Sequence, residues 1–257
     1  MAETVVIDAG HGGSDFGATY NGRKEKDDNL NLALAVGDIL KQNGVDVYFT
    51  RTSDVYNTPY EKAVMGNNSG ADFFVSIHRN AVPESNTSTG IETLVYDDSG
   101  IKAEMARNIN ANLAALGFGN RGVIERPNLV VLKRTKMPAV LVEAGFINND
   151  KDNELFDTKF NEIAQAIADG ILETIRETGG ATGGSDSDLY RVQVGAYRNR
   201  SNAVRLVEQL QREGFPAFLI LDKDLYKVQV GAFENMDNAV RMEQRLRQEG
   251  YNTFITT

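Results

Sequence analysis

Two histidines and no cysteine are all the imidazole and thiolate chemistry this 257-residue chain possesses. His11 stands in Gly10-His11-Gly12-Gly13, directly after the apolar run Val5–Ala9, and His78 directly follows Phe73–Ile77. Glu143 follows a third such run, Ala139-Val140-Leu141-Val142, and precedes Ala144-Gly145-Phe146. If the runs are parallel strands of an open α/β sheet, their carboxyl ends share one rim, and that rim carries the sites of such sheets. A carboxylate directly after a buried strand is costly unless it is paired, metal-bound or on the rim, so Glu143 belongs with the histidines. A further carboxylate is available in Lys24-Glu25-Lys26-Asp27-Asp28. Composition makes this a charge run in which Asp27 or Asp28 can cap the following helix, and spacing does not choose which side chain turns inward. Two imidazoles with one or two carboxylates and no thiolate suit a catalytic Zn²⁺ with three protein ligands and one open position. Hydrolysis is the reaction class to expect of it. As a nucleophile Ser76 has no obvious base in the sequence and no elbow, and the glycine run lacks both the dinucleotide fingerprint and the P-loop Lys-Ser/Thr.

The elements that must place these residues alternate. Strands are expected at Thr4–Ala9, Val45–Thr50, Asp72–Ile77, Gly90–Tyr96, Leu129–Leu132 and Ala139–Val142. Helices are expected at Asn29–Gln42, Thr58–Asn67, Ile101–Leu116 and Asp157–Arg176, with the polar run Ala81–Thr89 as a loop. This alternation reads as an α/β domain, a mostly parallel sheet with helices on both faces, over residues 1–177. The Gly-rich segment 178–187 reads as a linker, since small residues cannot pack a core. Residues 188–257 contain an internal repeat. Leu189-Tyr190-Arg191-Val192-Gln193-Val194-Gly195-Ala196-Tyr197 returns as Leu225-Tyr226-Lys227-Val228-Gln229-Val230-Gly231-Ala232-Phe233, and Asn202-Ala203-Val204-Arg205 returns as Asn238-Ala239-Val240-Arg241. Two strand–helix–strand copies predict a small ferredoxin-like split βαβ domain. Alternation puts Tyr190, Val192 and Val194 on one face and Arg191 with Gln193 on the other.

Composition narrows the classes of function. With 41% hydrophobic and 25% charged residues the chain is ordinary for a globular protein, and its apolar runs are too short for a membrane span. The net charge of −9, all of it arising before residue 188, speaks against a nucleic-acid partner. Met1-Ala2-Glu3 runs straight into an apolar strand without the basic start and long apolar stretch of a signal peptide. The expectation is cytoplasmic synthesis followed by release through membrane pores or lysis of the cell, unless an initiator Met has replaced a leader.

Residues 4–175 resemble the catalytic domain of the zinc-dependent N-acetylmuramoyl-L-alanine amidases found in bacterial autolysins and phage endolysins. The resemblance rests on Asp8-Ala9-Gly10-His11-Gly12-Gly13, Glu25, Arg51-Thr52-Ser53-Asp54, Ala71–Ala81 around His78, and Pro138–Phe146 around Glu143. It implies one Zn²⁺ per chain held by His11, Glu25 and His78, with Glu143 as the catalytic carboxylate. The implied reaction is hydrolysis of the amide between N-acetylmuramic acid and L-alanine in bacterial peptidoglycan. Ala9 replaces the usual proline, and Lys62 stands where the family often carries an arginine. Residues 188–257 resemble the SPOR domain, which implies binding to denuded glycan strands. Arg191, Gln193, Lys227 and Gln229 form the candidate polar face, while Tyr190 and Tyr226 fit either core packing or glycan contact. The alternatives are another zinc-dependent wall peptidase or deacetylase, a carboxypeptidase needing Arg51 or Arg79 to hold the substrate carboxylate, and a non-catalytic wall-binding protein.

Overall fold

Thr4-Val5-Val6-Ile7-Asp8-Ala9 has almost no polar side to offer solvent, so a strand made from it must be covered on both faces. A computed structural model describes residues 3–179 and 190–256, apart from 214, 216, 223–224 and 234–235. In it this segment is β1 (Thr4–Ala9), inside a six-stranded sheet. The chain continues through a small hairpin, β2 (Thr19–Tyr20) and β3 (Arg23–Lys24), to α1 (Glu25–Gln42), β4 (Asp46–Phe49), α2 (Pro59–Ser69), β5 (Phe73–Asn80) and β6 (Ile91–Val95). It then forms α3 (Gly100–Ala115), β7 (Asn120–Glu125), α4 (Val130–Arg134), β8 (Ala139–Phe146), α5 (Asp150–Thr158) and α6 (Phe160–Gly179). The sheet order is β4-β1-β5-β8-β6-β7, and neighbours run parallel except β6 against β8.

Alternate strand residues feed two cores. Val5, Ile7, Val75, Ile77, Val140 and Val142 pack with α1, α3 and α6 through side chains such as Leu32, Ile109 and Ile167. Val6, Phe74 and Leu141 form a smaller core with Val131 and Leu132 of α4. The chain passes from β1 through α1 to β4 on one side of β1, then through α2 to β5 on the other. Strand order therefore reverses at β1 and β5, and a crevice opens beyond their carboxyl ends.

Several boundaries differ from the sequence expectation. Leu129–Leu132 does not make a strand. Leu129 caps α4, and Val131 and Leu132 are buried in the smaller core. A four-residue apolar run has no period to separate one helical turn from a strand. Strand β7 was not expected, because Asn120-Arg121-Gly122 at its start looks like a turn, and an edge strand needs no continuous apolar run. The helix expected at Asp157–Arg176 begins at Phe160, because Asp157 belongs to a separate helix, α5, whose C-cap is Lys159. Helix α1 begins a turn earlier than Asn29, which places Glu25 on the helix rather than before it. Asp27 and Asp28 do not cap α1; Lys24 occupies that position. Helix α2 starts as its Thr58-Pro59-Tyr60-Glu61 suggests, with a reciprocal capping box between Thr58 and Glu61.

The chain divides into two compact units, Met1–Ala181 and Thr182–Thr257. Helix α6 reaches Gly179, two residues into the expected linker, and positions 180–187 of that segment lie outside the described residues. The second unit contains β9 (Tyr190–Tyr197), α7 (Arg200–Arg212), β10 (Phe218–Asp222), β11 (Leu225–Phe233), α8 (Met236–Gln248) and β12 (Phe254–Thr256). Its small sheet is antiparallel throughout, in the order β10-β11-β9-β12. Val192, Val228 and Val230 pack on Ala203 and Leu210 of α7 and on Ala239 and Leu246 of α8, with Tyr190 and Tyr226 against this core. Among the described residues no helix is long and apolar enough to cross a membrane.

Candidate metal centre

The crevice between β1 and β5 receives His11 from the loop after β1 and His78 from the end of β5, their ring centroids 5.0 Å apart. His11 has a left-handed backbone, φ 59, a conformation that few residues other than glycine adopt. The structure holds it there. Lys62, buried in α2, donates to the Ala9 carbonyl at 2.5 Å and the His11 carbonyl at 3.4 Å, and pairs with buried Asp8 at 2.9 Å. Arg51 donates to the carbonyls of Ala9 and Gly10. The His78 ring lies where a side chain on Gly10 would be, and Glu25 and His11 lie where one on Gly17 would be. Both positions must be glycine for the rings to approach.

Glu25, in the first turn of α1, is the carboxylate that turns inward. Its Oε1 lies 3.2 Å from His11 Nε2 and 2.9 Å from His78 Nδ1, and it also accepts from Asn29 Nδ2 at 3.2 Å. Its Oε2 accepts from the Ala18 amide at 2.8 Å. Asp27 is exposed, and Asp28 pairs with Arg23 and Arg79. His11, Glu25 and His78 each offer a ligand atom, all within 4.8 Å of one another. Asp15 takes the second ring nitrogen of His11, Nδ1, at 2.8 Å, the carboxylate support that metal-ligating histidines usually have. Sequence reasoning missed Asp15 and Asn29. The four-residue spacing from His11 to Asp15 is visible in the sequence, but the turn that closes it, Gly12 paired with Asp15, is not.

Charge in the cluster is concentrated. Burial opposes protonation of His11, yet Glu25 and Asp15 outweigh it and raise its pKa to about 9. Burial likewise opposes ionisation of Glu25, but the two histidines hold its pKa far below the usual carboxylate range. Two imidazoles drawn onto one carboxylate are a donor set suited to a divalent cation. The residues fit a metal ion.

Glu143 stands directly opposite His78 in the β5–β8 ladder. Its Oε2 is buried and makes no hydrogen bond among the described residues. Burial lifts its pKa to about 7; Glu25 and Glu92 add to the lift, and His78 and His11 oppose it. Just beyond it β8 bulges, with Gly145 at φ 83, so that Asn80 pairs with Phe146. Bulges of this kind re-aim strand residues beside active sites. Arg51 and Arg79, the anchors a peptidase reading would need, are both buried, Arg51 on backbone carbonyls and Arg79 on Asp28 and Asn153.

In the second unit the register places Arg191, Gln193, Lys227 and Gln229 together on the sheet face away from the helices. Phe218 pairs with Gln229, Gln229 with Gln193, and Gln193 with Phe254, giving a Phe-Gln-Gln-Phe row across all four strands. Phe218 and Phe254 are 37% and 44% exposed, whereas Gln193 and Gln229 are 4% and 2% exposed. Gln229 Oε1 makes no hydrogen bond among the described residues. The sequence reading missed the two phenylalanines, although they occupy matching places in the repeat.

Comparison with known proteins agrees with this geometry. Residues 5–173 match the N-acetylmuramoyl-L-alanine amidase family and residues 186–257 the SPOR domain. The chain is 37% identical to the sporulation-specific N-acetylmuramoyl-L-alanine amidase of Bacillus subtilis (strain 168) over 222 residues, which cover 84% of each chain. It is 36% identical to the amidase CwlM of Bacillus licheniformis, again over 84% of each. Among solved structures, an N-acetylmuramoyl-L-alanine amidase from Clostridium difficile 630 is 36% identical at a TM-score of 0.65, covering 69% of this chain and 99% of that one. The catalytic domain of CwlV from Bacillus (Paenibacillus) polymyxa is 38% identical at a TM-score of 0.63, covering 68% and 98%. With its first unit matched almost from end to end and a His11–Glu25–His78 cluster able to hold a metal ion, the chain belongs to the N-acetylmuramoyl-L-alanine amidase family and joins an amidase domain to a C-terminal SPOR domain.

Proposed function

We propose that one Zn²⁺ per chain is held by His11, Glu25 and His78, and that Glu143 moves the proton in the amidase reaction. The reaction hydrolyses the amide between N-acetylmuramic acid and L-alanine of peptidoglycan. The observation that carries the assignment is the convergence of three ligand atoms within 4.8 Å, with the unpartnered Oε2 of Glu143 on the neighbouring strand. When bound, zinc supplies a Lewis acid for the scissile carbonyl and a water of lowered pKa. Glu143 accepts a proton from the attacking water at Oε2 and returns it to the alanine nitrogen as the C–N bond breaks. A carboxyl with a pKa near 7 is matched to both halves of that transfer. Asp15 fixes the tautomer of His11 so that Nε2 faces the centre. Lys62 holds the His11 loop by its carbonyls.

The second unit is read as a ferredoxin-like split βαβ domain that binds denuded glycan strands. Its β-α-β-β-α-β order and interleaved sheet support the fold. The Phe-Gln-Gln-Phe row supports the ligand, because exposed rings offer apolar faces to sugar rings while the buried amides between them offer fixed polar partners. Arg191 and Lys227 flank the row. The two units then act as separable modules, the second raising the local concentration of the first on the wall. Mass spectrometry of purified peptidoglycan after digestion, with and without a chelator, tests the reading. The expected result is free stem peptides beginning at L-alanine, released only when metal is present; release unaffected by exhaustive chelation would overturn the metal assignment.

A further inference from the structure

The rim that carries His78 and Glu143 continues across two more strands. Glu92 stands opposite Glu143 in the β8–β6 ladder. Between the pairs Ile91–Asn120 and Thr93–Val123, Glu92 alone faces two residues of β7, Arg121 and Gly122. This is a second bulge at the rim, with Gly122 at φ 93. His78, Glu143, Glu92 and Arg121 therefore lie in one row. With strands about 4.8 Å apart, Arg121 is roughly 10 Å of backbone from Glu143. Its guanidinium is held on two sides. Nε donates to Glu92 Oε2 at 2.9 Å, and the guanidinium carbon lies 5.1 Å from the centre of the Phe146 ring. Glu92 is itself fixed, its Oε1 accepting from Asn80 Nδ2 at 3.0 Å. The Arg121 side chain remains 43% exposed, and its two terminal nitrogens make no hydrogen bond among the described residues.

A guanidinium braced along one edge and open along the other is suited to receive a planar anion through two parallel hydrogen bonds. Resting on the placement of the reacting centre at Glu143 and the metal cluster, we propose that Arg121 binds the free carboxylate on the stem-peptide residue that follows L-alanine. One residue of peptide spans about 3.5 Å, so a carboxylate on that residue falls between the scissile amide and the reach of Arg121. A carboxamide at the same position accepts through one oxygen and carries no charge, so it is the weaker ligand. Arg51 and Arg79 cannot share the task, since both are buried and committed to protein partners.

The test uses two soluble substrates and the full chain. One is N-acetylmuramoyl-L-alanyl-γ-D-glutamyl-L-lysine; the other has the glutamyl α-carboxylate converted to a carboxamide. The parent enzyme is expected to favour the acid by about 10-fold or more in kcat/KM, most of it in KM. Arg121→Gln is expected to bring that ratio close to one, and Arg121→Lys to leave it in between, because an ammonium keeps the charge but loses the fork. Both substrates are measured on one preparation, so a partly unfolded variant does not alter the ratio. A parent without preference, or an Arg121→Gln variant that keeps the parent's ratio, would overturn the proposal. Glu143→Gln is run alongside. If it turns over both substrates freely, the placement of the reacting centre fails and the proposal falls with it. If it is inactive while Arg121→Gln keeps the parent's ratio, the carboxylate assignment alone fails.

Discussion

Replacing Lys62 with methionine removes the charge that balances a fully buried carboxylate beneath the His11 loop. Asp8 Oδ1 lies 2.9 Å from Lys62 Nζ and also accepts from Thr50, while Oδ2 accepts from Ser76, both hydroxyls at 2.6 Å. Breaking a buried pair from one side destabilises by about 3–5 kcal/mol. The two hydroxyls survive the change, so the lower end applies, about 3 kcal/mol. For a unit of this size that is a fall of roughly 6–12 °C in Tm. Scanning calorimetry of the full chain reads it in the transition that abolishes amidase activity. Asp8→Asn added to Lys62→Met should recover part of the loss, because it removes the charge left behind. The pH dependence has a definite sign. Burial raises the pKa of Asp8, but Lys62 and the two hydroxyls outweigh it and leave it below 3.8. In the parent, stabilisation by this group is thus present above about pH 4 and lost as pH falls through the lowered native pKa. In Lys62→Met, burial is unopposed by the ammonium and the native pKa rises, so destabilisation is greatest at neutral pH. The gap between parent and variant should therefore narrow as pH falls toward 4. A Tm change under about 2 °C, or a double variant no more stable than Lys62→Met, would refute the reasoning.

His78→Ala should lower bound zinc well below one equivalent by elemental analysis, with the fold intact by circular dichroism; full occupancy would remove His78 from the ligand set. Glu143→Gln should keep its metal and its fold and lose about 10²- to 10⁴-fold in turnover, since the amide fills the same space but cannot take a proton. Turnover within a few-fold of the parent would place the proton transfer elsewhere. Phe218→Ser and Phe254→Ser should each weaken cosedimentation with amidase-treated sacculi by about 5-fold, the worth of roughly 1 kcal/mol of half-buried ring surface. They should leave hydrolysis of a soluble muramyl peptide unchanged, and undiminished sedimentation of both variants would move the glycan to another surface.

Much of the chemistry was legible because strand ends are legible. A chain with two histidines, each directly after an apolar run, leaves little choice of rim once the runs are parallel strands. Glu143 was readable for the same reason, since an ionisable group after four buried residues has to be accounted for. The repeat of 189–197 at 225–233 likewise revealed two strand–helix–strand copies by itself. Glu25 was different. From the residues alone, Lys24-Glu25-Lys26-Asp27-Asp28 is a solvated charge run. Only the earlier start of α1 and the path of the β2–β3 hairpin put Glu25 under the imidazoles and left Asp27 in water. The row Glu143, Glu92, Arg121 was equally hidden. Its members are far apart in sequence, they meet through one antiparallel pairing in a parallel sheet, and a bulge at Gly122 aligns the last of them. Local sequence encodes periodicity and caps, which report on neighbours a turn or a strand away. Which carboxylate faces inward, and which strand adjoins which, depends on contacts across long sequence separations, and those exist only once the sheet has closed around its two cores.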